Sequence, residues 1–423
     1  MTISRTSTHL RRQAEAAALA AGLLLSALLL GGCADKAARA RVEALRRPPV
    51  TQVLIDTTQK PAEPTPIIAA LADQSALRPA GTPPPLHTEG NRILRPDGRP
   101  VRLRGVNIAS LEWGDEGDNV QRSLGVAIDN WGCNIIRLPL SQDRWFGRAP
   151  TQRDGGARYR AIVDAMVAGA AERGAYVLLD LHWSDAGLWG EYIGQHSMPD
   201  TGSLLFWRAV GQRYANHPAV LFGLYNEPHD VSWDVWLNGG ELEEKVPSRT
   251  RHDPTQPLKR IRTSVRYRAV GHRQLYDAVR ASGATQNLIV VGGLDWAYDL
   301  AGLLEGHAIR GQNIVYDSHV YPGKDWKPEL SWDNAFITPS RRLPVLVGEW
   351  GGSMAMNEQR QFVLKFVECL RQNDQLSWTA WCFHPQAGPP LIRNWDYEPN
   401  ETGQVVLDEL KGGDRQPGSA PES

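Results

Sequence analysis

Eight short apolar runs, separated by segments of helical periodicity, limit the folds open to this chain more than any other feature. The runs are Val101–Asn107, Asn134–Leu138, Tyr176–Leu181, Val220–Asn226, Leu288–Val291, Ile314–His319, Val345–Gly348 and Ser377–Trp381. Most are continuously apolar, as strands buried on both faces must be. Between them, Arg158–Gly174, Leu204–His217, Arg266–Ser282 and Asn357–Asn373 carry apolar residues at three- and four-residue spacing and predict helices. Asn357 is the expected N-cap of the last. Strands alternating with helices pair in parallel through right-handed crossovers, and the closed form of eight such units is an α/β fold, the (β/α)8 TIM barrel. An open doubly wound sheet is the structural alternative, yet no Gly-rich phosphate loop follows the first strand. An N-terminal β-hairpin over Asn91–Val101 precedes the series, with Pro96-Asp97-Gly98 as its turn.

The flanks read differently. Arg5, Arg11 and Arg12 precede an Ala/Leu-rich run from Ala16 to Leu30, shorter than the ~20 residues a membrane span needs. Residues 1–32 therefore read as a secretory signal. It closes on Leu30-Gly31-Gly32-Cys33, which resembles the bacterial lipoprotein cleavage box. That resemblance implies lipid on Cys33 and a membrane-anchored protein of the cell envelope, in the periplasm or outer membrane. If Cys33 is an incidental residue after an ordinary signal, the product is secreted. Residues 33–85 are proline-rich and expected to form a semi-rigid tether, with a short helix at Ala37–Arg46. The barrel domain is assigned to residues 86–412, and 413–423 to a disordered tail. A net charge of −1 provides no field for nucleic acid, and a monomer is expected. Four cysteines make no disulfide framework; Cys133 and Cys369 read as buried thiols, Cys382 lies beside Trp381, and any pairing among them stays open.

Polar residues concentrate where the runs end. Arg137 is expected to end the second, His182-Trp183 the third, Asn226-Glu227 the fourth, and His319 the sixth with Tyr321 just beyond. Glu349-Trp350 close the seventh and Trp381 the eighth. Pro228 cannot donate to a ladder, so the fourth strand should stop before it and present Glu227. Singly, each residue has a plain structural use, such as a cap, a turn or a satisfied core histidine. In a barrel, however, these ends share the face that carries chemistry. Two glutamates facing each other there suit glycosidic cleavage, one protonating the leaving oxygen and one acting from the other side of the sugar. Carboxyls about 5 Å apart give direct attack and retained configuration. The acid then needs its pKa raised by its surroundings, and the nucleophile needs a cation such as Arg137 to stay ionised. Tyr321 can donate to the nucleophile, and Asn226 has the donors for a sugar 2-hydroxyl.

Leu224-Tyr225-Asn226-Glu227-Pro228-His229 and Val347-Gly348-Glu349-Trp350 resemble the two catalytic-strand motifs of glycoside hydrolase family 5, the cellulase family. The resemblance extends to Ile136-Arg137-Leu138-Pro139, Leu179-Asp180-Leu181-His182, Asp317-Ser318-His319-Val320-Tyr321 and Trp378-Thr379-Ala380-Trp381, in order along the chain. It covers Leu86 to Lys411, not the signal or the tether. It implies Glu227 as acid/base and Glu349 as nucleophile, with Arg137, His182, Asn226, His319, Tyr321 and Trp381 at the family's active-site positions. It also implies retention of configuration and no metal or other cofactor. A metal-dependent barrel hydrolase would want a His-x-His pair after the first strand, where Asn107-Ile108-Ala109 stands.

Aromatic residues crowd the segments after the strands: Trp113, Trp145, Phe146, Trp183, Trp189 and Tyr192, then Trp233, Trp236, Trp296, Tyr298, Trp326 and Trp332. Such rings pack on the apolar faces of sugars, so Trp183 and its neighbours are expected to line a cleft for a β-linked oligo- or polysaccharide, unless they merely fix long loops. Asp185, Glu191 and Gln195 are candidates for sugar-hydroxyl contacts. The insertion Asp234–Arg262 reads as a loop that walls or covers one side of the cleft. The expected activity is an endo-β-1,4-glucanase, with β-mannanase, β-1,3-glucan hydrolase and glycolipid glycosidase as alternatives in the same family. A non-catalytic carbohydrate-binding lipoprotein is the rival from another class.

Overall fold

In the computed structural model, residues 81–185, 194–253, 256–324 and 328–412 are described. The signal, Cys33, nearly all of the tether, Trp189, Glu191, Tyr192, Trp326 and the tail lie outside them. Among the described residues no helix is long and apolar enough to cross a membrane.

The chain enters through β1 (His87–Glu89) and β2 (Arg92–Leu94), an antiparallel pair turning at Gly90-Asn91. This hairpin begins earlier than expected. The anticipated turn also forms, with Gly98 N–H donating to Arg95 O at 2.9 Å, and returns Pro100 to Leu94. Leu86 and Ile93 of this segment cluster with Leu103, Ile135, Tyr176, Leu178, Leu221, Val290, Val315 and Leu346, the apolar plug at the N-terminal end of the barrel.

The barrel strands are β3 (Arg104–Asn107), β4 (Ile135–Ser141), β5 (Tyr176–Trp183) and β6 (Val220–Gly223). An antiparallel ribbon, β7 (Gly239–Asp253) and β8 (Gln256–Val270), interrupts the series. It resumes with β9 (Ile289–Gly292), β10 (Ile314–Val320), β11 (Val345–Trp350) and β12 (Ser377–Ala380). Neighbouring barrel strands pair in parallel and β12 closes on β3, the eight-stranded barrel that the alternating pattern predicts. Closure leaves the eight barrel strands no free edge.

The crossover helices Ala157–Glu172, Thr201–Arg213, His272–Ala281 and Asn357–Gln372 lie near their expected places. Three details differ. The second opens earlier, because Asp200 and Ser203 form a capping box. Arg266–Val270 belongs to β8, so the third helix starts only at His272. Asn357 is the first helical residue, and Met356 holds the N-cap position without a side-chain bond.

The insertion after the fourth barrel strand is not a structureless loop. A helix, Trp233–Asn238, leads into the ribbon. Its alternation was masked because Glu244 shares a face with Leu242 and Tyr267, where an apolar residue is expected. Cys133, Cys369 and Cys382 are buried and free.

Candidate active site

Successive side chains of a strand point to opposite faces, so alternate residues aim into the barrel. The second barrel strand does not end at Arg137 as expected: β4 runs on to Ser141, and Arg137 turns inward between Ile136 and Leu138. It is 1 % exposed and acts as a hub. Its Nη1 donates to Glu349 Oε1 at 2.6 Å and Asn107 Oδ1 at 2.9 Å. Its Nη2 donates to Asn226 Oδ1 at 2.7 Å and lies 3.0 Å from Asp180 Oδ2. Burial opposes the guanidinium's charge, but Asp180, Glu349 and Asp317 outweigh it and hold its pKa above the usual value.

The same two-residue rhythm places a carboxylate beneath each site histidine. Asp180 Oδ2 is 2.8 Å from His182 Nδ1, and Asp317 Oδ2 is 3.3 Å from His319 Nε2. Asp317 Oδ1 also accepts from Gly348 N–H at 2.6 Å, so closely that a Cβ on Gly348 would lie 2.4 Å from the carboxylate. A register irregularity between Asp317 and His319 sets His319 directly beside Glu349. Bulges of this kind re-aim side chains near functional sites. Trp350, next along β11, turns the other way and is buried with Phe366 and Trp378.

The fourth barrel strand ends at Gly223, before the expected Asn226. The chain then runs to Glu227, whose φ of 47° is left-handed, a strained setting for a residue with a Cβ. That turn points Glu227 Oε1 to within 3.1 Å of His319 Nδ1. The Glu227 side chain is 19 % exposed, whereas Glu349 is 5 % exposed. Tyr321 donates to Glu349 Oε2 at 2.8 Å. One ligand atom each from Glu227, His319 and Glu349 lie within 4.8 Å of one another. Such a trio can meet a cation, but Arg137 and Tyr321 already occupy both Glu349 oxygens, leaving a poor cage.

Glu227 differs from expectation in one respect. Burial favours its protonated form, but the His319 hydrogen bond and charge prevail and hold its pKa below the usual carboxylate range. Burial lowers His319, while Glu349, Asp317 and Glu227 push it up to about 10. These opposed shifts favour the shared proton on the imidazole over the carboxyl.

Among the other expected residues, Trp381 stacks on His182 at 5.6 Å between ring centroids and is 9 % exposed. Trp183 lies 6.5 Å from Trp113, whose edge meets His384. Trp296 is 41 % exposed and stacks on His229 at 3.5 Å. Several aromatics are not walls: Trp145, Trp236 and Tyr298 are buried in the core, and Phe146, Trp233 and Trp332 pack against it. Asp185 fixes its own loop by accepting from Gly194 N–H. Gln195 turns to the backbone, donating to the carbonyls of Asn226 at 3.0 Å and Glu227 at 3.1 Å.

Sequence reasoning assigned no role to Asn107, Asp180 or Asp317. A usable signal existed, because each aspartate precedes a site histidine by two residues and so shares its face. Glu112 gave none. It is a buried carboxyl whose Oε2 accepts from Ser110 N–H at 2.7 Å, and burial pushes its pKa up to about 7 against the charge of His182.

The family model of Cellulase (glycosyl hydrolase family 5) matches residues 94–387. Endoglucanase MaCel5A of Microbulbifer sp. (strain ALW1) is 25% identical over 312 residues, covering 70% of this chain and 50% of that protein. This chain therefore spans about half the length of that relative. An endoglucanase of Paenibacillus polymyxa is 23% identical over 373 residues, covering 76% of this chain and 82% of that protein. Among solved structures, the β-glucanase SdGluc5_26A from Saccharophagus degradans aligns with a TM-score of 0.61 at 22% identity, over 85% of this chain and 99% of that one. The catalytic domain of the major endoglucanase from Xanthomonas campestris pv. campestris aligns at 0.58 and 19% identity, over 77% and 99%. These structures share the barrel. The matched span runs from the N-terminal hairpin past the last strand and takes in both glutamates, and the chain belongs to glycosyl hydrolase family 5, the cellulase family.

Proposed function

We propose that the protein is a retaining glycoside hydrolase that cleaves internal β-1,4 bonds of a glucan. One observation carries the reading: a Glu349 carboxylate held by Arg137 and Tyr321, with a more exposed Glu227 carboxyl close by. In the first step Glu349 attacks the anomeric carbon, Glu227 gives its proton to the glycosidic oxygen, and the leaving sugar departs. In the second, Glu227 takes a proton from water, which attacks the same carbon and frees Glu349. His319, whose surroundings favour its protonated form, lies 3.1 Å from Glu227. A sugar filling the cleft removes water and makes two opposed charges costlier than a neutral pair, which favours transfer to Glu227. Arg137 gives up no proton in this range, so its charge stays on the nucleophile side throughout.

Asn226 is oriented for a sugar hydroxyl, because Arg137 fixes its oxygen and leaves the amide N–H groups toward His182 and Gln195. Trp113, Trp183, Trp296 and Trp381 supply aromatic faces at the mouth. The preference for a β-1,4-glucan draws on the endoglucanase relatives and on SdGluc5_26A, which was solved with cellotetraose. The test is product analysis on carboxymethyl cellulose, mannan, xyloglucan and laminarin, with the anomer followed by proton NMR. Short cello-oligosaccharides released first as the β-anomer are expected. An α-anomer released first overturns retention, release from mannan or laminarin alone overturns the substrate, and no release from any glycan overturns catalysis.

The N-terminal pattern adds a location. Export with lipid on Cys33 places the barrel at the envelope membrane, and Cys33→Ser should move the protein from the membrane to the soluble fraction and abolish palmitate incorporation. An unchanged membrane fraction would rule the lipid anchor out.

A further inference from the structure

The base of the β7–β8 ribbon sits against the loop that follows β5, and that loop holds the turn carrying Glu227. Glu244 of β7 is the centre of this contact. Its Oε1 accepts from Ser197 N–H at 2.6 Å, from the Ser197 hydroxyl, and from Tyr267 OH at 3.0 Å. Its Oε2 lies 2.9 Å from His196 Nδ1. Burial opposes the charge of Glu244, yet His196 and Ser197 bring its pKa down to about 2. Burial likewise opposes the charge on His196, and Glu244 and Asp185 raise it. Tyr267 accepts from Met198 N–H at 3.1 Å, and Val270 N–H donates to Pro199 O at 2.8 Å. Four consecutive loop residues, 196–199, are thus tied to the ribbon.

The loop in turn grips the backbone on both sides of Glu227. Gln195 donates to the carbonyls of Asn226 and Glu227, and its Oε1 accepts from Asn226 Nδ2 at 3.2 Å. On the other side, Ser197 O accepts from His229 N–H at 3.1 Å. Glu227 has a left-handed backbone, which persists only where its surroundings over-determine it. An isolated two-stranded ribbon is marginal in water, so its ordered base must come from these same contacts.

We propose that Glu244 is a positioning residue for the acid: by locking His196 and Ser197 it fixes the loop through which Gln195 and Ser197 hold Glu227 in place. The base of the ribbon then sets the aim of the proton donor. This rests on Glu227 being the acid/base.

The experiment compares two β-cellobiosides, one with a 2,4-dinitrophenolate leaving group that departs without protonation and one with an unactivated alcohol that needs it. In Glu244→Ala, kcat/KM should fall about 10- to 100-fold for the poor leaving group and stay within about 2-fold for the activated one, because general acid catalysis contributes roughly 10²–10⁴-fold. Glu244→Gln, which keeps an acceptor for Ser197, should recover part of the loss. Gln195→Leu should reproduce the split, and the double variant should lose little more than either single, as expected of residues acting in series. Gln195→Leu also keeps the question open to test if Glu244→Ala does not fold. Equal losses on both substrates, or none on either, overturn the clamp. If Glu227→Ala itself shows no dependence on leaving group, the acid assignment fails instead, whatever Glu244 does.

Discussion

Glu349→Gln should lose turnover on β-glucan on the order of 10⁴-fold, because the amide cannot form the glycosyl ester on which both steps of the proposed mechanism depend. The fold should survive. Gln Oε1 can still accept from Arg137, and Asp180 still balances the guanidinium at 3.0 Å. Glu227→Ala should behave differently. Loss should be of the 10²–10⁴-fold order on polymer, small for formation of the glycosyl-enzyme from a dinitrophenyl glycoside, and followed by slow hydrolysis of that intermediate. Azide separates the roles. With Glu227→Ala it attacks the glycosyl-enzyme in place of water and returns a β-glycosyl azide. With Glu349→Ala it enters the nucleophile's space and returns the α-azide. Reversed azide configurations would exchange the two roles, and full turnover by Glu349→Gln would remove it from the mechanism. The polarity of the site supports the assignment: Arg137 and Tyr321 bind Glu349 from within, while Glu227 is the more exposed carboxyl with His319 beside it.

The barrel was legible because its signal is long-range and redundant. Eight apolar runs with intervening helices survive errors of a few residues at any boundary, and the helix at Ala157–Glu172 lies within a residue or two of its apolar pattern. The strand-end ring was legible for the same reason, since His182, His319 and Glu349 project from the end that the topology assigns to chemistry, and Arg137 reaches them from the middle of its strand. Local exceptions were harder. The ribbon was read as a loop because Glu244 interrupts its apolar face, and only the folded contact with His196 and Ser197 explains a carboxylate there. Trp145, Trp236 and Tyr298 were indistinguishable from cleft aromatics by sequence position, because a residue after a strand can turn either to the mouth or to the helical shell. The protonation of the Glu227–His319 pair was beyond sequence altogether. It depends on three carboxylates converging on one imidazole, which a motif does not display.

Arg137→Met should have the largest combined effect on activity and stability, because its guanidinium ties together Asn107, Asp180, Asn226 and Glu349 from separate strands and turns. Removing it leaves the buried carboxylates of Asp180 and Glu349 without the guanidinium, with only His182 and His319 nearby, and strands the amide oxygens of Asn107 and Asn226. Breaking a buried pair from one side costs roughly 3–5 kcal/mol, and the variant should unfold at clearly lower denaturant concentration at neutral pH. Arg137→Lys should recover little, since one ammonium cannot reproduce a planar fork reaching four acceptors. The pH dependence distinguishes lost charge from lost packing. In the native protein, burial works against the Asp180 carboxylate but Arg137 and His182 hold its pKa below the usual range. A depressed carboxylate contributes stability that is present above its unfolded pKa and lost as pH falls through the folded one. Without Arg137, burial dominates, and the folded pKa of Asp180 moves up. The variant is then penalised at neutral pH and relieved by protonation as pH falls. The difference in unfolding free energy between native and Arg137→Met should therefore be greatest near pH 7 and narrow through the acidic range. A difference that is constant from pH 7 to pH 4 would mean that Arg137 stabilises the barrel by its packing alone, and that its charge serves only the Glu349 carboxylate.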